Sequence, residues 1–318
     1  MYNKPYLTIP QQISLLQSRG LNIEDTDKAS EYLQRIGYYR LSAYWHPMRQ
    51  RSGPKSEIVE DNFVPGTTFQ EVTDLYTFDS RLRLVMLDAL ERIEVSLRTE
   101  VALTLGRHGA KSHREPKTFD RNFNKPIRGT GPTPHRKWLQ KFDDRFNRSK
   151  DAFAEHFRTK YPGDDMPIWI AVELLDFGPL SHLISGMKFA DRKNIGDNYG
   201  GIHPNHLGSW SHSMSYVRNV CAHHARLWNK PMVNAPALSG PSLPPQLKHV
   251  LSTPNSQFRL YAVACVLRYM LSFANPRTKW HERFLSHIKS FPVSPRLTLS
   301  DAGFPYNWET EDLWRSKP

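Results

Sequence analysis

Cysteine is scarce in this chain: Cys221 and Cys265 are the only two in 318 residues. Two thiols cannot build a disulfide framework, and no Cys-x-x-Cys pair offers metal-ligand spacing. Each reads as a small buried apolar side chain. Long apolar runs are missing too. Nothing approaches the roughly 18–20 residues of a membrane-spanning helix, and the opening MYNKPYLTIPQQ has no apolar signal region. Acidic residues are in deficit, 31 against 43 Lys+Arg, for a formal net charge of +12. With 39% hydrophobic residues, the chain is expected to be a soluble cytoplasmic protein with one large core or two smaller ones. Its charge calls for a polyanionic partner, nucleic acid ahead of membrane.

That charge is unevenly spread. From Arg107 to Lys160 the chain has 15 Lys/Arg against 6 Asp/Glu. The same stretch carries His108, His113, His135 and His156, with Phe123, Trp138, Phe142 and Phe146 between the charges. Cations interleaved with aromatics suit a phosphate track with stacking positions, and Arg136, Lys137, Lys141 and Arg145 are its candidate residues. The plain alternative is a solvated, mobile insertion kept soluble by its charge.

Apolar periodicity predicts helices almost throughout. One spans 8–19, with Thr8 as N-cap and Pro10 in the opening turn. A second spans 27–37, capped by Asp27 and ended by Gly37. The aromatic cluster Tyr38, Tyr39, Tyr44 and Trp45 reads as a core corner or a base-stacking surface. Residues 50–66, with Gly53, Pro54, Pro65 and Gly66, read as a loop. Then Leu75, Phe78, Leu82, Val85, Ala89, Ile93, Leu97, Val101 and Leu105 step by three and four, predicting a long helix stopped by Gly106. Thr68 and Glu71 have capping-box spacing at its start. Glu94 lies on the charged face of this helix and is a candidate to orient an Arg or His of the site. Further helices are expected near 134–148 and 150–160. Pro167 opens an apolar helix from Ile168 to Phe177, ended by Gly178 and Pro179. A carboxylate there, Glu173, needs a partner if buried, and Arg218 is the candidate; the alternative is an exposed stripe. A helix over 205–229 follows, then a proline-rich loop at 231–256 that includes Pro241, a helix over 257–274, and short turns to the end. No strand ladder or repeat is evident, and the expected fold is all-α.

The densest chemistry lies at 218–230, RNVCAHHARLWNK. Arg218 offers a planar, permanently charged fork of donors. Asn219 adds an amide, and His223 a side chain of the type that exchanges protons near neutral pH. This set suits metal-free RNA cleavage, with the 2′-OH attacking its own phosphate; a polar helix end with a capping His is the plain alternative. On a regular helix Asn219 and His223 share a face, while Arg218 lies about 100° from Asn219. One undistorted helix therefore does not aim Arg218 and His223 at one point. Either the helix end is distorted or a second copy completes the site. A metal site is not expected, because His203, His206, His212, His223 and His224 include no His-x-x-x-His pair. No cofactor is expected either.

The run resembles the Arg-Asn-x-x-x-His signature of the HEPN superfamily of ribonucleases. The chain as a whole resembles the Abi (AbiD/AbiF-like) abortive-infection family within it. The matching blocks are KPYLTIPQQISLLQSRGLNI near the start, YLQRIGYYRLSAYW at 32–45, FQEVTDLYTFDSRLRLVMLDALERIEVSLRTEVA at 69–102, MPIWIAVELLDFGPLS at 166–181, RNVCAHHARLWN at 218–229 and GFPYNW at 303–308. Order matters, because the looser Arg-x4–6-His pattern also fits Arg40 to His46, Arg107 to His113 and Arg128 to His135; only Arg218 is followed by Asn.

The resemblance implies a HEPN-like helical bundle: an N-terminal helical unit at 1–66, then a helical domain at 67–318 with a basic insertion at 107–165. It implies a metal-independent endoribonuclease toxin, active against phage and assembled as a homodimer with facing motif helices. In that reading His223 is general base or acid, Arg218 stabilises the phosphorane, and Asn219 fixes the imidazole or a phosphate oxygen. His224 is a second proton carrier or a packing residue. Arg226 and Asn229 bind phosphate or cap the helix. RNA is the substrate, and a small noncoding RNA is a conceivable restraint. The alternatives are a non-cleaving RNA-binding module and a nucleotide-transfer enzyme.

Overall fold

Thr8 opens the first helix, α1 (Ile9–Ser18), its N–H donating to the Gln11 side chain at 2.9 Å. The second, α2 (Thr26–Arg35), is capped by Asp25, which accepts from the Lys28 N–H at 2.8 Å; Asp27, the expected cap, sits in the first turn instead. Tyr38 to Trp45 form a helix of their own, α3. Tyr44 and Trp45 are core residues, whereas Tyr39 is 91% exposed. Part of the expected loop at 50–66 is a short antiparallel hairpin of β1 (Arg49–Arg51) and β2 (Val59–Phe63). The computed structural model describes residues 5–53, 58–126, 129–240 and 242–315. Pro54, Arg128 and Pro241 lie outside the described residues.

The organising element is α4 (Phe69–Gly106). Leu75, Phe78, Leu82, Ala89, Ile93, Leu97, Val101 and Leu105 are all buried along it, so the three-four spacing becomes one continuous packing face. Its capping box is closed: Thr68 Oγ1 accepts from the Glu71 N–H at 3.2 Å, and Glu71 accepts from the Thr68 N–H at 2.9 Å. In the basic insertion lie α5 (Pro134–Arg148) and α6 (Ala152–Lys160). The expected helix from Ile168 to Phe177 is broken. A single turn, α7 (Ile168–Ala171), tightens into a 3-10 turn at Val172–Leu174, and α8 (Phe177–Gly186) begins where a stop was read. Gly178 and Pro179 fall in its first turn, where a missing N–H costs no helical bond. Then come α9 (Phe189–Asp197) and α10 (Pro204–Ala222), the latter packed against α4 and α8. The chain closes with α11 (Leu260–Ala274), α12 (Trp280–Lys289) and α13 (Asp312–Arg315). The architecture is all-α apart from the hairpin.

The basic insertion is packed, contrary to a mobile, solvated segment. Trp138 donates to the Pro179 carbonyl at 2.9 Å, the Asp120 N–H to Gly186 at 2.9 Å and the Ile168 N–H to Ala110 at 2.8 Å. Trp138, Phe142 and Phe146 stack in sequence along α5, with centroids 5.6 and 6.4 Å apart. Trp138 and Phe142 are buried, so these rings fasten the insertion to the bundle. His113, fully buried against the same two rings, is pushed down to about 4 by its burial.

Candidate functional site

The motif occupies the C-terminal end of α10. This helix is opened by His203, whose ring accepts from the Asn205 N–H at 3.2 Å. It stops at Ala222, seven residues earlier than the pattern suggested. His223 is the C-cap, its N–H donating to the Asn219 carbonyl at 2.9 Å. His224 has φ +56°; its N–H bonds Cys221 and that of Ala225 bonds Val220. This is a Schellman closure with a histidine in the left-handed position usually taken by Gly. The helix is regular up to His223, so Arg218 and His223 point about 140° apart. Asn219, His223 and His224 are exposed, and Arg218 is half-buried.

Arg218 faces α4, and its partner there is Glu94, the two separated by 3.9 Å. Glu94 is buried, and its other oxygen accepts from Arg98 at 2.5 Å. Arg98 also donates to the Leu175 carbonyl at 3.1 and 2.8 Å. Burial raises the Glu94 carboxyl above the ordinary range, against the pull of Arg98 and Arg218. Next to it Asp176 is gripped by both terminal nitrogens of Arg145. That grip, more than the neighbouring Arg218 and Arg98, holds the Asp176 carboxyl below the usual range. Three guanidiniums thus share two carboxylates around one end of α10. Glu173, the candidate partner for Arg218 if buried, is exposed, in line with the alternative reading of an exposed stripe. The 3-10 turn at 172–174 rotates it outward while Val172 and Leu174 point into the core.

The chain beyond the motif is anchored separately. Asp79 on α4 is fully buried and accepts from the Leu227 N–H at 3.1 Å, the Trp228 N–H at 2.8 Å, the Tyr44 hydroxyl at 2.8 Å and Arg83 at 2.6 Å. Arg40 donates to the His224 carbonyl at 2.6 Å, and Arg226 to the carbonyl of Ala43. Arg226 is therefore spent on backbone, and its burial lowers its affinity for the proton. The Asn229 carbonyl accepts from Arg259 at 2.8 Å. Asp79 carried no signal in the sequence beyond being an acid on a long helix.

Of the candidate RNA contacts, Arg136, Lys137, Lys141 and Arg145 are all exposed on α5. Lys137, Lys141 and Arg145 are four apart and form one stripe. Arg145 is the member that reaches the motif's network. The histidines of α10 are dispersed: His206 bonds the Ser239 carbonyl at 2.9 Å, and His212 lies between Ser181 and Ser185 at 3.0 and 2.9 Å. Among the described residues no group of three or more His, Cys, Asp or Glu could hold a metal ion, and no helix is long and apolar enough to cross a membrane. Cys221 and Cys265 are buried free thiols, and burial pushes the Cys221 thiol up to about 12.

Fold and site together define an all-helical protein whose Arg-Asn-x3-His run ends a central helix and is backed by an acid–arginine network. Residues 31–229, more than half of the chain, match the family model described as Abi-like protein. The chain belongs to the Abi-like protein family. No curated protein and no solved structure matches it.

Proposed function

We propose that this chain is a metal-independent endoribonuclease of the HEPN type and the toxin of an abortive-infection system. The observation that carries the reading is the division at the end of α10: Arg218 is braced against Glu94, while Asn219 and His223 stand exposed on the same helix end. His223 takes the proton of the RNA 2′-OH, and the freed oxygen attacks the adjacent phosphorus. Arg218 meets the charge that builds on the phosphorane oxygens. The P–O5′ bond breaks, and a protonated imidazole returns a proton to the leaving oxygen. The products are a 2′,3′-cyclic phosphate and a 5′-OH.

In this reading the active species is a homodimer with the motif helices facing, and the regular course of α10 up to His223 supports the second-copy solution over a distorted helix. Membership of the Abi-like family supports the abortive-infection role, and the exposed cationic stripe on α5 supports RNA as substrate. Light scattering should give about twice the 36.9 kDa chain mass; a monomer that still cleaves RNA rules out the composite site. Cleavage should proceed in EDTA, leave cyclic phosphate ends and stop when the cut nucleotide is 2′-deoxy. RNA that is bound but left whole under these conditions favours a non-cleaving RNA-binding module instead.

A further inference from the structure

A cleft of about 510 Å³ lies between α5 and residues 175–179, within the size range of small-ligand sites. Its rim carries Lys141, Arg145, Arg148 and Lys150, and its apolar floor is formed by Pro179 and by the exposed edges of Trp138, Phe142 and Leu175, which are otherwise buried. Two acids, Asp144 and Asp151, also line it. Both acids keep their charge, Asp144 lying 3.7 Å from Arg148 and Asp151 accepting from Ser149 at 2.7 Å. Arg145 is also held by Asp176, so the rim is cationic by four charges to two among its lining residues.

The cleft shares a wall with the motif. Leu175 lines it and gives its carbonyl to Arg98, which holds Glu94, which faces Arg218. Arg145, also on the rim, grips Asp176 beside the same carboxylate. The stripe of Lys137, Lys141 and Arg145 leads along α5 into it.

We propose that this cleft seats one unpaired nucleotide of the RNA, with its phosphate on the cationic rim and its base against the apolar lining, next to the phosphodiester that Arg218 meets. The adjacency to the cut rests on the ribonuclease reading; the seat itself does not. Cations alone would serve any polyanion, but cations over an apolar lining match a nucleotide, whose base offers a flat apolar face. An A-form duplex keeps those faces stacked inside and presents phosphates and 2′-hydroxyls, so it can touch the rim and not the lining. An acidic peptide matches the rim alone.

The test uses the full chain and a short single-stranded RNA that carries 4-thiouridine and is 2′-fluoro throughout, so that it cannot be cut. Photocrosslinks should map to peptides within 134–151 or 175–179. In the variant Lys141→Gln/Arg148→Gln, whose two exposed side chains leave the core untouched, those crosslinks should disappear. The log–log salt dependence of binding should become shallower by about 0.7, the value for one lost single-strand phosphate contact. The same sequence as a duplex should crosslink little there. Crosslinks elsewhere with an unchanged slope, equal crosslinking of the duplex, or displacement by polyglutamate as effective as by unlabelled RNA would each overturn the proposal. Cleavage of unmodified RNA is measured in parallel. Crosslinks at the cleft without cleavage would remove the ribonuclease reading and leave the nucleotide seat, while cleavage without them would remove the seat alone.

Discussion

Asp79–Arg83 and Glu94–Arg98 are the two more buried members of a set of three pairs on α4, with the more exposed Asp88–Arg92 between them, each with the acid four residues before the arginine, the better orientation on a helix. The two buried pairs differ in their surroundings. The side chains of the first pair are 0% and 5% exposed, and those of the second 9% and 20%. Asp79 is saturated: Arg83, Tyr44 and two backbone N–H groups take up its oxygens. Glu94 gives one oxygen to Arg98 and leaves the other facing Arg218 across 3.9 Å, longer than a hydrogen bond. A sealed pair fixes backbone, here the chain that follows His223. A half-open pair positions the charge opposite it without taking up its donors, as a group that must be held in place to meet a substrate requires.

The largest expected effect comes from breaking the sealed pair. Asp79→Ala strands Arg83 and two backbone donors in the core, and about 3–5 kcal/mol of stability should be lost, read as a lowered denaturant midpoint. A loss under about 1 kcal/mol would show that the anchoring lies elsewhere. Next is the half-open pair. Glu94→Gln should keep the fold but let Arg218 drift, lowering kcat by up to roughly 10²-fold with KM nearly unchanged. Because the Glu94 carboxyl titrates above the ordinary range, wild-type activity should fall as pH drops through that raised value and Glu94 loses its charge. The Gln variant should lose that contribution and keep only the acid limb that the general base itself imposes. A Gln variant that melts early with unaltered kinetics would make Glu94 structural, like Asp79. The smallest effect concerns the strained closure between the two anchors. His224→Gly should relieve the left-handed backbone and add about 1 kcal/mol of stability, with cleavage intact; loss of cleavage would make His224 the second proton carrier.

The long helix, its capping box, the helices of the insertion and the motif at the end of α10 were legible because each has a local signal: a three-four apolar period, a Thr-x-x-Glu box, a distinctive run of side chains. What was missed depended on tertiary context. Tyr38 to Trp45 read as a corner because rings obscure a short helix. Gly178 and Pro179 read as a stop, although the same residues are compatible with a first turn. Glu94 was read as a candidate to orient an Arg or His, and it is the acid that faces Arg218; the pairing of Glu173 with Arg218 followed from treating 168–177 as one helix, and the break at Val172 decides which side faces out. The stacking rings of the insertion were identified as aromatic but not as core, since only the bundle beneath them decides that. Neither Asp79 nor the cleft at 175–179 could be read, because their partners lie far apart in the chain.

The central claim, that the end of α10 is a catalytic site, is tested most directly by the single-turnover rate of RNA cleavage in EDTA for wild type and His223→Ala. The side chain of His223 is exposed at the helix cap, so its removal should leave mass, fold and RNA binding as they were. The rate should fall by about 10²–10⁴. Equal rates for the two proteins would contradict the account.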